Sequence, residues 1–190
     1  PPELGSLSSL QSLLLYRNRL TGAIPPELGN LSNLQTLDLG ENQLNGPIPP
    51  QIGDLSSLQS MILEANPLGG SIPPELGKLN NLGTLFLNSC GLTGPIPKEL
   101  GNMGNLLRLH LYWNSLEGPI PPELGDLSNL QQLIAYENRL SGPIPPALGK
   151  LTNLQTLWLA SNNLVGEIPS NLSNLPLGGH VFIDYNGLWT

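Results

Sequence analysis

Sliding the 190-residue sequence against itself by 24 residues superimposes it almost throughout, and that period constrains the fold more than any other feature. Units begin at Leu7, Leu31, Leu55, Leu79, Met103, Leu127 and Leu151, giving seven complete copies over residues 7–174. Half a unit precedes them at 1–6 and a truncated eighth follows at 175–190, so 1–190 reads as one repeat domain. The opening at Pro1, in mid-repeat, reads as a piece of a longer chain. Each unit follows L-x-x-L-x-x-L-x-L-x-x-N-x-L-x-G-x-I-P-x-x-L-G-x, as in Leu31, Leu34, Leu37, Leu39, Asn42, Leu44, Gly46, Ile48, Pro49, Ile52 and Gly53. A unit this short cannot bury its apolar positions alone, so neighbouring units must stack and bury them jointly.

Positions 6 to 10 of each unit alternate outside, inside, outside, inside, outside, the period of a half-buried strand. Stacked coil on coil, they predict a parallel sheet near residues 12–16, 36–40, 60–64, 84–88, 108–112, 132–136, 156–160 and 180–184. Position 12 is Asn in seven of eight units (Asn18, Asn42, Asn66, Asn114, Asn138, Asn162 and Asn186), with Cys90 in unit 4. A buried Asn must satisfy two amide donors and a carbonyl, so the column predicts a hydrogen-bonded ladder between coils. Pro at position 19 starts a short helical turn, and Glu3, Glu27, Glu75, Glu99 and Glu123 fall in its first turn, where a helix dipole favours a carboxylate. These turns form the convex side.

The charge balance is −7, and the seven Lys and Arg are scattered from Arg17 to Lys150. Phosphate binding needs clustered cations, so nucleic acid is excluded as a partner. One cysteine allows no internal disulfide and no multi-cysteine metal site; Cys90 itself reads as a small buried side chain replacing a ladder Asn. No apolar run reaches the roughly 18 residues of a membrane span. Two histidines, His110 at position 8 and His180 at position 6, have no fixed pairing with a nucleophile, and parallel outward side chains disfavour the convergence that catalysis requires. The Gly77-Lys78 and Gly149-Lys150 pairs lack the rest of a phosphate loop. Neither an enzymatic role, nor a cofactor, nor a metal is expected.

The segments Leu44-Asn45-Gly46-Pro47-Ile48-Pro49, Leu92-Thr93-Gly94-Pro95-Ile96-Pro97 and Leu140-Ser141-Gly142-Pro143-Ile144-Pro145 match the L-x-G-x-I-P hallmark of plant-specific leucine-rich repeats. The chain resembles the ectodomain of a plant receptor-like kinase or receptor-like protein, or a secreted repeat protein of the polygalacturonase-inhibitor kind. The resemblance implies a right-handed solenoid with a concave parallel sheet, a short second sheet on one flank, and recognition of a protein or peptide ligand on the concave side. It also implies an extracellular or cell-surface setting and, for a receptor, a co-receptor or larger assembly. The paired-cysteine caps of such ectodomains are missing, and Trp189 is a candidate end plug. Asn30-Leu31-Ser32 and Asn171-Leu172-Ser173 are candidate glycosylation sites, at the frequency chance alone would give.

The repeat requires no particular side chain at positions 6, 8, 10, 11 and 13, so any bias there reflects something other than folding. Units 4 to 8 place Phe86, His110, Ile134, Trp158 and Phe182 in one outward column at position 8. Tyr112 and Tyr136 stand beside it at position 10, Trp113 at the edge, while units 2 and 3 carry Asp38, Glu41 and Glu64. Large aromatics on a solvent face supply wide contact area with few rotors to freeze. These residues form the candidate ligand surface, together with Arg108, which with His110 is an incomplete version of the two arginines that hold a terminal carboxylate in some plant peptide receptors. The alternatives are an inhibitor of a cell-wall hydrolase and an architectural subunit that covers a repetitive surface.

Overall fold

The computed structural model describes residues 1–178 and 180–190. Eight short strands form one parallel sheet: Ser12–Leu14, Thr36–Asp38, Ser60–Ile62, Thr84–Phe86, Arg108–His110, Gln132–Ile134, Thr156–Trp158 and Val181–Phe182. Residue i pairs with residue i+24, as Leu13 with Leu37 and Leu133 with Leu157, so equivalent positions line up across the sheet. A 3₁₀ turn of five residues returns each coil, the first at Pro2–Ser6 and the last at Ser170–Asn174.

The strands are shorter than the alternation predicts. They end at position 8 because position 11 is left-handed in every unit, with φ of 50–56° at Arg17, Glu41, Ala65, Ser89, Trp113, Glu137, Ser161 and Tyr185. Coil-to-coil bonding nevertheless continues past the strand, with Leu15 N–H donating to the Asp38 carbonyl and Arg17 N–H to that of Gly40.

The inward leucines and isoleucines make one continuous core, buried through units 2 to 7 except at Ile168, which is half-buried. At the ends, where a coil has a neighbour on one side only, Leu10, Leu13, Leu15, Ile183 and Leu188 are half-buried. Trp189, the expected plug, is 59% exposed and pairs with Glu167 in the flank sheet, while Leu188 is the residue that packs on the core. Gly at position 23 is a packing requirement. A Cβ at Gly53 or Gly77 would lie 2.3 Å from the position-21 carbonyl oxygen of the next coil.

Asn at position 12 joins coil to coil. Its Oδ1 accepts the position-14 N–H of the preceding unit, as from Leu44 to Asn66 and Leu140 to Asn162 at 2.9–3.0 Å. Its Nδ2 donates to the position-9 carbonyls of its own and the preceding unit, Leu63 and Leu39 for Asn66. Asn66 is only 1% exposed. Asn42 and Asn162 are buried and Asn114, Asn138 and Asn186 half-buried, but Asn18 is exposed and bonds only to Leu15 and Tyr16 of its own coil. Asn18 belongs to the column, but both of its acceptors lie in its own turn. A second ladder, not anticipated from sequence, runs along position 3. Asn33, Asn81, Asn105, Asn129 and Asn153 each donate to the position-2 carbonyl of the preceding unit at 2.7–2.9 Å.

Unit 3 interrupts the flank sheet. One part pairs Thr21–Gly22 with Gln43–Leu44; the other joins Thr93–Gly94, Ser115–Pro119, Arg139–Gly142, Asn163–Glu167 and Gly187–Trp189. Pro67 has no N–H for the rung toward unit 2, and the Cys90 side chain has no carbonyl to receive the Leu68 N–H, which turns to the Asn66 carbonyl instead. The Cys90 thiol contacts the carbonyls of Leu63 and Asn88 at 3.3 and 3.4 Å, and burial pushes its pKa up to about 12, leaving an unreactive thiol.

Replacing Asn114 with Ala strips acceptors from the N–H groups of Cys90 and Leu92 and donors from three carbonyls. Its chemical denaturation midpoint should correspond to a loss of about 1–3 kcal/mol, whereas Asn18→Ala should cost at most about 0.5 kcal/mol. Cys90→Asn should be at least as stable as the parent chain. An unchanged midpoint for Asn114→Ala refutes the ladder.

Candidate binding surface on the concave sheet

Equivalent positions of adjacent strands lie about 4.8 Å apart, close to the thickness of a stacked ring pair. In-register pairing of Phe86 with His110 puts their rings 4.0 Å apart and nearly parallel, at 6°. Tyr112 and Tyr136 stack at 4.8 Å and 5°. Trp113 meets both tyrosines edge-on, at 5.6 and 6.1 Å. Tyr136 continues to Trp158 at 6.2 Å, and Trp158 meets Phe182 edge-to-face at 5.3 Å and 79°. Units 4 to 8 therefore carry an unbroken aromatic strip.

Most of the expected surface residues lie on this strip. Trp113 is 58% exposed because the left-handed turn at position 11 throws its ring clear of the sheet; Phe182 and Arg108 are also exposed. Ile134 is a correction. It is only 7% exposed, since the larger side chains of His110 and Trp158 on the strands either side shade a short branched one between them. Tyr185 is a surface aromatic that sequence reading passed over, 81% exposed at position 11 of unit 8 and equivalent to Trp113. Its signal was present in the repeat register but lay in the degraded last unit.

Polar groups on the strip are tied down locally. Arg108 Nη2 donates to Thr84 Oγ1 at 3.1 Å, and His110 Nε2 lies 3.0 Å from Gln132 Oε1. Arg108 and His110 are thus each engaged with a neighbouring strand rather than converging on one point. Asn88 Oδ1 and Trp158 Nε1, both on this sheet, are buried without a hydrogen-bond partner, an unfavourable state for polar atoms. Burial also raises the phenol pKa values of Tyr112 and Tyr136.

The acidic end is built differently. Arg17 Nε donates to Glu41 Oε2 at 2.7 Å while its guanidinium carbon sits 5.2 Å from the centre of the Tyr16 ring. Hydrogen bonds from Arg17 and then Tyr16 lower the Glu41 pKa. Asp38 accepts the N–H of Gly40 in its own turn. Of the sequons, Asn30 is exposed, but Asn171 is folded into the convex side: its Nδ2 donates to the Pro146 carbonyl and its Oδ1 is buried. A glycan on Asn171 would require that amide to be released. Among the described residues, no three His, Cys, Asp or Glu converge as a metal site demands, and no helix is long and apolar enough to cross a membrane.

Parallel strands in 24-residue register inside, 3₁₀ turns outside and an Asn ladder between coils define a leucine-rich-repeat solenoid. Residues 2–141 match the family model described as leucine-rich repeat region, and 128–175 one described as leucine-rich repeats in two copies. The chain belongs to the leucine-rich repeat family. No curated protein sequence matches it. Among solved structures it is similar to the leucine-rich-repeat ectodomain of the plant membrane receptor kinase GASSHO1/SCHENGEN3 from Arabidopsis thaliana, in complex with CASPARIAN STRIP INTEGRITY FACTOR 2. That match has TM-score 0.97 and 46% identity and covers 99% of this chain and 23% of the other. It is also similar to the plant peptide hormone receptor RGFR1 in complex with RGF2, at TM-score 0.91 and 38% identity, covering 99% and 30%. A third is the Arabidopsis receptor kinase HAESA in complex with the peptide hormone IDA and the co-receptor SERK1, at 0.91 and 33%, covering 99% and 32%. The chain thus spans about a third or less of each of these three receptor structures, and its fold is that of a plant-type receptor ectodomain.

Burial lowers the His110 pKa from its ordinary 6.5, and the Arg108 charge adds to this while the Gln132 contact opposes it. The unfolded chain therefore takes up a proton that folded His110 resists, and stability falls as pH drops below the ordinary histidine value. Between about pH 7 and pH 5 the parent chain should lose more thermal stability than His110→Gln. Identical pH profiles for the two would show that His110 is not held neutral by the fold.

Proposed function

We propose that the chain is a non-catalytic interaction module that binds an extended peptide, or an extended segment of a partner protein, along the aromatic strip of units 4 to 8. The whole of 1–190 serves as one such module, in an extracellular receptor ectodomain. The observation that carries this reading is the continuity of the strip from Phe86 to Phe182 on a face where the repeat demands no aromatic. Stacking alone gives each pair about 0.5–1.5 kcal/mol beyond its burial, which accounts for contacts between rings but not for leaving Trp113, Phe182 and Tyr185 open to solvent. Buried, unpartnered Asn88 Oδ1 and Trp158 Nε1 occur on the same face. Receptors similar to this chain include the peptide hormone receptor RGFR1 in complex with RGF2 and HAESA in complex with the peptide hormone IDA and a co-receptor, which supports peptide and protein partners here. An architectural subunit that covers a repetitive surface would need uniform columns, and position 10 runs Tyr16, Gly40, Glu64, Asn88, Tyr112, Tyr136, Ala160, Asp184.

Random peptides displayed on phage and selected on the parent chain supply a ligand for titration. Measured against folded variants, the selected peptides should lose about 2 kcal/mol of affinity on Tyr112→Ala and on Trp158→Ala. Glu75→Ala, on the convex side, should bind as the parent does. Equal affinity for the parent, Tyr112→Ala and Trp158→Ala ends the concave-face reading.

A further inference from the structure

At the C-terminal end of the strip, position 10 of unit 7 is Ala160, between Tyr136 of unit 6 and Asp184 of unit 8. The small side chain leaves a cavity of about 370 Å³ walled by Tyr136, Trp158, Phe182 and Tyr185, with Asp184 as its sole charged lining residue. Trp158 and Phe182 meet at 79°, so the walls present ring faces in two directions. Among the described residues, the Asp184 carboxylate neither accepts a hydrogen bond nor pairs with a cation.

We propose that this cavity is an aromatic cage for an arginine side chain of the peptide ligand. The inference rests on the concave-face reading above and adds the chemistry of one subsite. Ring faces carry the negative end of the aromatic quadrupole and attract cations, while a carboxylate beside them repels anions. A guanidinium suits both elements, because its plane stacks on a ring and its fork donates to a carboxylate. The chain already makes this arrangement internally: at the opposite end of the same face Arg17 lies over the Tyr16 ring and donates to Glu41. Units 6 to 8 supply the rings and the carboxylate without the arginine. The chain's net charge of −7 favours a cationic ligand at long range as well.

The test uses three capped tripeptides, Gly-Arg-Gly, its neutral isostere Gly-citrulline-Gly and Gly-norleucine-Gly, titrated into the intact chain while the Trp158 indole resonance is followed. Gly-Arg-Gly should shift that resonance and bind at least about tenfold more tightly than either neutral peptide. Asp184→Asn, an isosteric change at an exposed site, should remove about tenfold of that affinity. Ala160→Leu, which fills the cavity and deletes nothing, should abolish the shift. Equal binding of the citrulline or norleucine peptide, or no shift with any of the three, overturns the cage, and so does a fourth peptide, capped Gly-Lys-Gly, that matches arginine. The phage-selected peptides separate this failure from that of the wider reading. If they depend on Tyr112 yet show no preference for arginine, the cage alone falls; if they ignore Tyr112 and Trp158, concave recognition falls with it.

Discussion

Coil after coil leaves backbone groups at its turn that the next coil satisfies through the amide of Asn at position 12, with Cys90 the exception. A carboxamide suits the position because it carries two donors and an acceptor on one short, planar group. Asn66 spends its donors on Leu39 and Leu63 and its acceptor on Leu44, so one side chain ties together three points on two coils. Aspartate would lack the donors and leucine all three functions. The 24-residue register of the sheet, the left-handed residue just before each Asn and the closely packed Gly on the convex side are all geometric conditions for placing that amide. A solenoid of this kind has no distant contacts to compensate for a lost rung, since each coil touches only its neighbours.

Unit 3 and unit 4 show what the constraint tolerates. Cys90 retains two weak contacts with the carbonyls that an Asn would reach, but its side chain offers nothing to the Leu68 N–H. Pro67 removes a donor at the other junction of unit 3, toward unit 2. The flank sheet stops there, while the main sheet passes through unbroken, Met61 still pairing with Leu85. The two sheets are therefore separable: the inner one is held by strand pairing, the flank one by the ladder and by free N–H groups at position 13.

Much of this was legible because the repeat writes each structural requirement eight times. The parallel sheet, the core positions and the first Asn column follow from period and alternation. What escaped was mostly what a linear pattern does not encode. The early end of each strand depends on a backbone angle at position 11, where eight different contexts carry Arg, Glu, Ala, Ser, Trp and Tyr without a shared side-chain signal. The second ladder was visible as Asn at position 3 in five units, but its partners are carbonyls 25 residues earlier. Ile134 was misread because exposure depends on the size of neighbours while alternation gives only direction; Trp189 was misread because the strand Gly187–Trp189 turns Leu188 to the core.

The concave surface inherits its properties from this division of labour. Backbone, ladder and inward leucines fully determine the fold, so positions 8, 10 and 11 are free to carry bulky rings at no cost to the core. Once there, the rings are held at the coil spacing whether or not a ligand is present. Phe86 on His110 and Tyr112 on Tyr136 are already stacked nearly parallel. Freezing a large side chain on binding costs about 0.5–1.5 kcal/mol, and a strip whose members restrain each other has met much of that cost during folding. Self-stacking and recognition are then not competing explanations of the same residues: the first prepares the surface on which the second depends.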